Sequence, residues 1–156
     1  MREIFGRELA DDEADAKFKV YLQAYNNSWQ LYADVKPCLE ALKGQPLGLI
    51  SNGDGEQQRA KLEKFGLGAF FSVIIISREV DCAKPDKAIF ELAAKQADRK
   101  LEDCVYVGDR LQADALGSSR AGMRGIWLRR EGPPAELPAG IEVIQSLQEL
   151  PKLIAH

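Results

Sequence analysis

The sequence predicts an α/β fold, a doubly wound parallel sheet preceded by a helical segment. Short runs rich in apolar and β-branched residues recur along the chain: "PLGLIS" (46–51), "FSVIIIS" (71–77), "CVYVGD" (104–109), "GIWL" (125–128) and "EVI" (142–144). These runs are nearly continuous rather than alternating, as strands covered on both faces must be. Helical patterns separate them, and strands that alternate with helices pair in parallel through right-handed crossovers. The length of 156 residues is about one domain's worth.

The elements follow in order. Residues 12–32 form a predicted helix in which Phe18, Leu22, Tyr25 and Trp29 fall at spacings of four, three and four, a single apolar face. Asp11 or Asp12 is placed to cap its start. A second helix begins near Asp34, with Pro37 in its first turn and Leu39 and Leu42 facing inward. After the strand at 46–51, "GEQQRAKLEKF" sets Ala60, Leu62 and Phe65 on one face. After "FSVIIIS", the most strand-like segment, a loop leads to Lys84-Pro85. The helix that follows carries Pro85 in its first turn and Ala88, Ile89, Leu92 and Ala93 on one face. A helix over 112–121 follows "CVYVGD", and Ser146 with Glu149 makes a capping box for a last short helix before Pro151.

Composition excludes several functions. An apolar fraction of 46% and a charged fraction of 29% are those of a soluble globular protein. A net charge of −3 and a pI near 5.3 give no field that would attract nucleic acid or an anionic membrane. A small anionic substrate would have to be held by local cations. Residues 1 to 13 carry charges throughout, unlike a signal peptide, and no apolar run approaches the roughly 20 residues of a membrane span. Cys38, Cys82 and Cys104 are odd in number and lack zinc or CxxC spacing, so reduced thiols in a cytoplasmic protein are expected. The one histidine, His156, is the last residue, which removes histidine-based catalysis.

In parallel α/β sheets ligands bind beyond the carboxyl ends of the strands. That rule selects Ser51 to Asp54, Ser77 and Asp109. "LISNGD" (49–54) reads either as an Asn-Gly hairpin or as a strand–loop–helix junction, and the helical pattern after it favours the junction. There the Ser51 hydroxyl and the amides of Asn52 and Gly53 are placed to hold the oxygens of an anion. "CAKPDKAIF" (82–90) puts Lys84 in a loop after a strand end, where it can reach into the crevice and neutralise an attacking carboxylate and a phosphate. "VYVGDRLQAD" (105–114) sets Asp109 and Asp114 five positions apart. Singly they read as a helix cap and a first-turn acid; together they suit a divalent metal that offsets their repulsion.

These three motifs, in this order over residues 34 to about 130, resemble the haloacid dehalogenase (HAD) superfamily of hydrolases. The resemblance implies that Ser51 is the phosphate-binding hydroxyl of the second motif with Asn52 beside it. It implies that Lys84 is the third-motif lysine and that Asp109 and Asp114 are the fourth-motif Mg²⁺ ligands. Arg110 departs from the pattern, since a small residue is usual there. The pair of acids favours Mg²⁺-dependent phosphomonoester hydrolysis through an aspartyl-phosphate over the metal-free dehalogenases, with a small phosphorylated metabolite as partner. The alternatives are a non-catalytic phosphate- and Mg²⁺-binding protein and a 2-haloacid dehalogenase.

The family's first motif, a strand ending in D-x-D, has no counterpart in the sequence. "ADDEAD" (10–15) has acids at suitable spacing but no buried strand before it, Asp81 follows the third-motif strand, and Asp34 matches the family's hinge. Residues 1–33 are therefore expected to be a partial helical cap in which Tyr21, Tyr25 and Trp29 pack rather than line a substrate pocket. Residues 34–156 are expected to be the α/β core without its first strand, with Met1 an internal methionine. The resulting gap could close by direct pairing of the strands ending at Ser51 and Asp109, by a strand from another chain, or by upstream sequence. Exposed strand edges also leave self-association open.

Overall fold

The structure is a computed structural model. It describes residues 3, 4, 7, 8, 11–132, 134, 136 and 139–154; Met1 and His156, with the expectations attached to them, lie outside the described residues. The chain forms two compact units, Met1–Leu31 and Tyr32–His156.

The first unit holds a short antiparallel pair, β1 (Glu3–Ile4) and β2 (Arg7–Glu8), which the charged sequence did not suggest. Helix α1 spans Asp11–Asn27 and stops five residues before the expected end. Asn26, Asn27 and Ser28 explain the stop: the Ser28 hydroxyl donates to the Tyr25 carbonyl at 2.7 Å, a local bond that competes with the helical ladder. The aromatic face stacks on itself, Phe18 on Tyr21 at 6.5 Å and Tyr21 on Tyr25 at 6.1 Å, with Trp29 edge-on to Tyr25. Phe18, Tyr21 and Tyr25 stay exposed instead of entering a core.

The second unit starts with α2 (Val35–Ala41) and continues through β3 (Gly48–Ser51), α3 (Gly55–Phe65), β4 (Val73–Ile76), α4 (Ser77–Val80) and α5 (Lys87–Gln96). Next come β5 (Val105–Gly108), α6 (Leu116–Ala121), β6 (Arg124–Leu128), β7 (Glu142–Ile144) and α7 (Leu150–Leu153). Four boundaries differ from expectation. The strand expected to reach Ser77 ends at Ile76, and Ser77 opens α4. Pro85 precedes α5 rather than sitting in its first turn, because Asp86 is the N-cap and accepts from the Ala88 amide. The helix expected over 112–121 opens with a wider π turn over Leu111–Ala115. The Ser146–Glu149 capping box forms on a 3₁₀ turn, and Pro151 lies in the first turn of α7, where its missing N–H costs nothing.

All ladders in this unit are parallel. Strand β3 pairs with β4, Ser51 opposite Ile76, and β5, β6 and β7 form a second ladder with Tyr106 opposite Gly125. Apolar layers cover both faces. Ile75, Ile89, Phe90 and Ala93 pack under α5, and Cys38, Leu42, Ile126, Ile144 and Leu150 form the opposite core. Each fully buried large side chain contributes on the order of 1.5–3 kcal/mol. Burial pushes the Cys38 thiol upward, which makes it inert. No helix among the described residues is long and apolar enough to cross a membrane.

The parallel strands stand in two pieces. Among the described residues β3 pairs only with β4 and β5 only with β6. Direct pairing of the strands ending at Ser51 and Asp109, one of the three closures expected, is therefore not adopted. A cavity of about 520 Å³ is lined by Gly48–Ile50 from one ladder and Val105–Gly108 from the other.

Asp34 ties α2 to the end of the chain. It is 6% exposed and accepts from the two terminal guanidinium nitrogens of Arg130 at 2.7 and 3.0 Å, from the Ser146 hydroxyl and from the Leu147 amide. Arg130 in turn lies over the Tyr32 ring at 4.0 Å. The Arg130 bonds, with those from Leu147 and Ser146, hold the Asp34 carboxyl at about 2 against an ordinary 3.8. A carboxyl lowered in the folded state stabilises above its unfolded value and loses that contribution as pH falls through the folded one. Urea unfolding should accordingly show the Asp34 contribution intact above pH ~4 and fading toward pH ~2. Asp34→Ala should cost about 3 kcal/mol at neutral pH and remove that dependence.

Candidate active site

The site is built at the carboxyl ends of β3 and β5. Lys84 leaves the loop between α4 and α5, and its ammonium enters the space between the two ladders. It meets Asp114 Oδ1 at 2.7 Å, the Tyr106 hydroxyl at 2.7 Å and the Ile50 carbonyl at 3.0 Å. Its side chain is 11% exposed and that of Asp114 is 4% exposed, so this is a buried ion pair. The Tyr106 hydroxyl also donates to the Ile50 carbonyl at 3.3 Å. Burial, and next the negative charge of Asp114, pushes the Tyr106 phenol far above its ordinary value, which keeps its proton in place.

Asp114 sits inside the turn after β5. Its Oδ2 accepts from the Arg110 amide at 2.9 Å. This proximity requires a glycine in the strand: a Cβ on Gly108 would lie 2.5 Å from the Asp114 Cβ and Cγ. Asp109, at the strand end, is exposed and lines the same cavity as Lys84 and Asp114. The departure at Arg110 contributes a backbone N–H to Asp114, and its side chain is exposed.

The second motif forms the expected strand–loop–helix junction, and its polar groups bond within the chain. Ser51 closes β3, adjacent to the carbonyl that Lys84 reaches, but is not among the residues lining the cavity. Asn52 is turned toward the third motif: its Nδ2 donates to the Lys84 carbonyl at 2.8 Å and its Oδ1 accepts the Lys84 amide at 2.9 Å. The Gly53 amide donates to the Ser77 hydroxyl at 3.0 Å, with Gly53 at a φ of 148° that suits glycine alone. The structure thus gathers Lys84, Asp109 and Asp114 around one cavity and joins Asn52 to Lys84 through the backbone. Tyr106 went unnoticed in the sequence, although it is the only aromatic in "CVYVGD".

Among the described residues no group of three His, Cys, Asp or Glu side chains could hold a metal. The two carboxylates at the end of β5 still fit Mg²⁺, which commonly takes one or two protein carboxylates and completes its shell with water and phosphate oxygens. Asp114 Oδ1 is buried and pairs with the Lys84 ammonium without an aligned hydrogen bond, so it keeps acceptor capacity for a cation.

Fold and site together define a doubly wound α/β protein whose strand ends collect one lysine, one hydroxyl and two carboxylates, the equipment for handling an anionic substrate. Comparison with known proteins makes the class definite. Residues 2–122 match the family model described as haloacid dehalogenase-like hydrolase, and the chain belongs to that family. It is 42% identical over 101 residues to a glyceraldehyde 3-phosphate phosphatase of Methanopyrus kandleri, covering 64% of this chain and 43% of the relative. It is 38% identical over 121 residues to a pyrimidine 5'-nucleotidase of Escherichia coli, covering 74% and 53%. A HAD phosphatase from Thermococcus onnurineus superposes with a TM-score of 0.77 at 32% identity, covering 88% of this chain and 64% of that one. The chain thus spans about half the length of these two curated relatives.

Removing one partner of a buried ion pair strands the other charge. Lys84→Met alone should destabilise the protein by about 3–5 kcal/mol, and Lys84→Met with Asp114→Asn by much less. Chemical denaturation of the two variants checks this. Gly108→Ala should cost about 1–3 kcal/mol through its collision with Asp114, read in the same experiment.

Proposed function

We propose that the chain forms the core of a Mg²⁺-dependent phosphomonoester hydrolase acting on a small phosphorylated metabolite. The observation that carries the reading is the convergence of Lys84, Asp109 and Asp114 at the carboxyl end of the cavity that runs between β3 and β5. The relatives named for glyceraldehyde 3-phosphate and pyrimidine nucleotides support the substrate class.

Lys84 supplies the positive charge that draws a phosphoryl group into the cavity and balances an attacking carboxylate. Ser51 offers a hydroxyl to a phosphoryl oxygen from the end of β3. Asn52 and Gly53, expected to bind substrate, serve the site by fixing its loops, Asn52 on Lys84 and Gly53 on Ser77. Asp109 and Asp114 would hold Mg²⁺. When bound, the ion offsets repulsion between an anionic nucleophile and the phosphoryl group.

The nucleophile is an aspartate that this chain's strands do not present. Asp34 is committed to Arg130, Ser146 and Leu147, and Asp109 and Asp114 belong to the proposed metal site. The space between β3 and β5, bordered by two unpaired strand edges, suits a parallel strand that ends in the attacking carboxylate. Residues 1–33 are read as part of a helical cap, and the protein as cytoplasmic. A metal-free dehalogenase would leave Asp109 and Asp114 unexplained.

Hydrolysis of a generic aryl phosphate tests the reading. The 156-residue chain with Mg²⁺ should turn over no faster than Asp109→Ala. A chain extended at its amino end by an apolar strand ending in Asp-x-Asp should gain at least about a thousandfold, the scale on which losing a nucleophile is felt. The gain should vanish with chelator or with Asp109→Ala. Mg²⁺-dependent turnover by the unextended chain, abolished in Asp109→Ala, would show that a carboxylate of this chain attacks.

A further inference from the structure

We propose that Tyr106 is a positioning residue for Lys84. Its hydroxyl fixes where the ammonium points, while Asn52 fixes the backbone from which Lys84 departs. The inference rests on reading Lys84 as the cation that faces the phosphoryl group.

An ammonium has three protons, and a lysine stem left alone samples many rotamers. At Lys84 the Tyr106 hydroxyl and the Ile50 carbonyl accept hydrogen bonds, and Asp114 Oδ1 adds an ion-pair contact at 2.7 Å. Two of these three partners stand on rigid supports. Asp114 is fixed by the Arg110 amide, and the Tyr106 ring is fixed by Phe90, which meets it edge-on at 5.2 Å and 90° and is itself fully buried. The residue in register with Tyr106 on β6 is Gly125, which sets no side chain directly opposite the ring. Packing against Phe90 would be satisfied by phenylalanine; only the contact with Lys84 and Ile50 uses the hydroxyl.

The third partner, the Ile50 carbonyl, is the longest of the three at 3.0 Å and lies on the unpaired edge of β3. It is the one an entering anion replaces with least loss, while Tyr106 and Asp114 keep the ammonium aimed. At the other end of the side chain, the two Asn52 bonds fix both polar atoms of the Lys84 backbone. Lys84 is therefore anchored at its root from β3's end and at its tip from β5.

Lysine acetylation of the full chain with an N-hydroxysuccinimide ester, read residue by residue by mass spectrometry, tests this without needing turnover. Relative to the exposed Lys87 and Lys95, Lys84 should acetylate about tenfold faster in Tyr106→Phe, since a bond to a charged group is lost. Asn52→Ala should raise it as well, and circular dichroism should show both variants folded. A Lys84 rate in Tyr106→Phe equal to wild type, with a rise only in Tyr106→Leu, would mean the ring packs and nothing more, and would overturn the proposal. Inorganic phosphate with Mg²⁺ separates the two readings. Protection of Lys84 in the wild-type chain supports the phosphate site, whereas a tenfold rise in Tyr106→Phe without any protection keeps the positioning and removes the phosphate reading.

Discussion

The Lys84 ammonium joins what backbone pairing leaves apart. The β3–β4 and β5–β6–β7 ladders share no strand-to-strand hydrogen bonds among the described residues, yet Lys84 reaches Ile50 on one and Tyr106 and Asp114 at the other. Each partner constrains the next. Asp114 is low enough to receive Lys84 because Gly108 has no side chain, and the loop carrying Lys84 is clasped by Asn52. A buried charge pair is expensive to form and more expensive to break, so it specifies one arrangement rather than adding much stability.

The same arrangement underlies the proposed phosphoryl site. The chain is acidic overall, and attraction for an anion has to be local. Lys84, buried against Asp114, is placed to provide it, and on the proposed reading Mg²⁺ would serve as a second cation beside Asp109 and Asp114. The Asp34–Arg130 cluster is a separate device of similar chemistry. It is closed on itself, with the carboxylate receiving four hydrogen bonds, and so anchors α2.

Much of this was legible in the sequence. The β-branched runs located all five parallel strands, because strands covered on both faces need apolar residues at every position. The rule that ligands gather at carboxyl ends of parallel strands pointed to Asp109, while Lys84 and Asp114 were singled out by their loop position and by the spacing of the two acids. The hydrogen bonds of Asn52 and Gly53 were not legible: which way a side-chain amide or an N–H turns depends on partners more than twenty positions away, Lys84 and Ser77. Tyr106 escaped for the same reason, since in sequence it is one more β-forming residue. The early stop of α1 depended on Ser28 bonding a carbonyl locally, a competition that hydrophobic spacing does not register.

Coupled binding is the most direct test of a phosphate site organised around Lys84. Calorimetric titration of the purified chain with Mg²⁺, in the absence and presence of orthovanadate, should show each ligand tightening the other, because the anion supplies oxygens to the ion and the ion relieves its repulsion from Asp109 and Asp114. The coupling should disappear in Lys84→Met with Asp114→Asn while the fold is kept. Binding of the two ligands with no mutual effect, or coupling that survives in the double variant, would contradict the account.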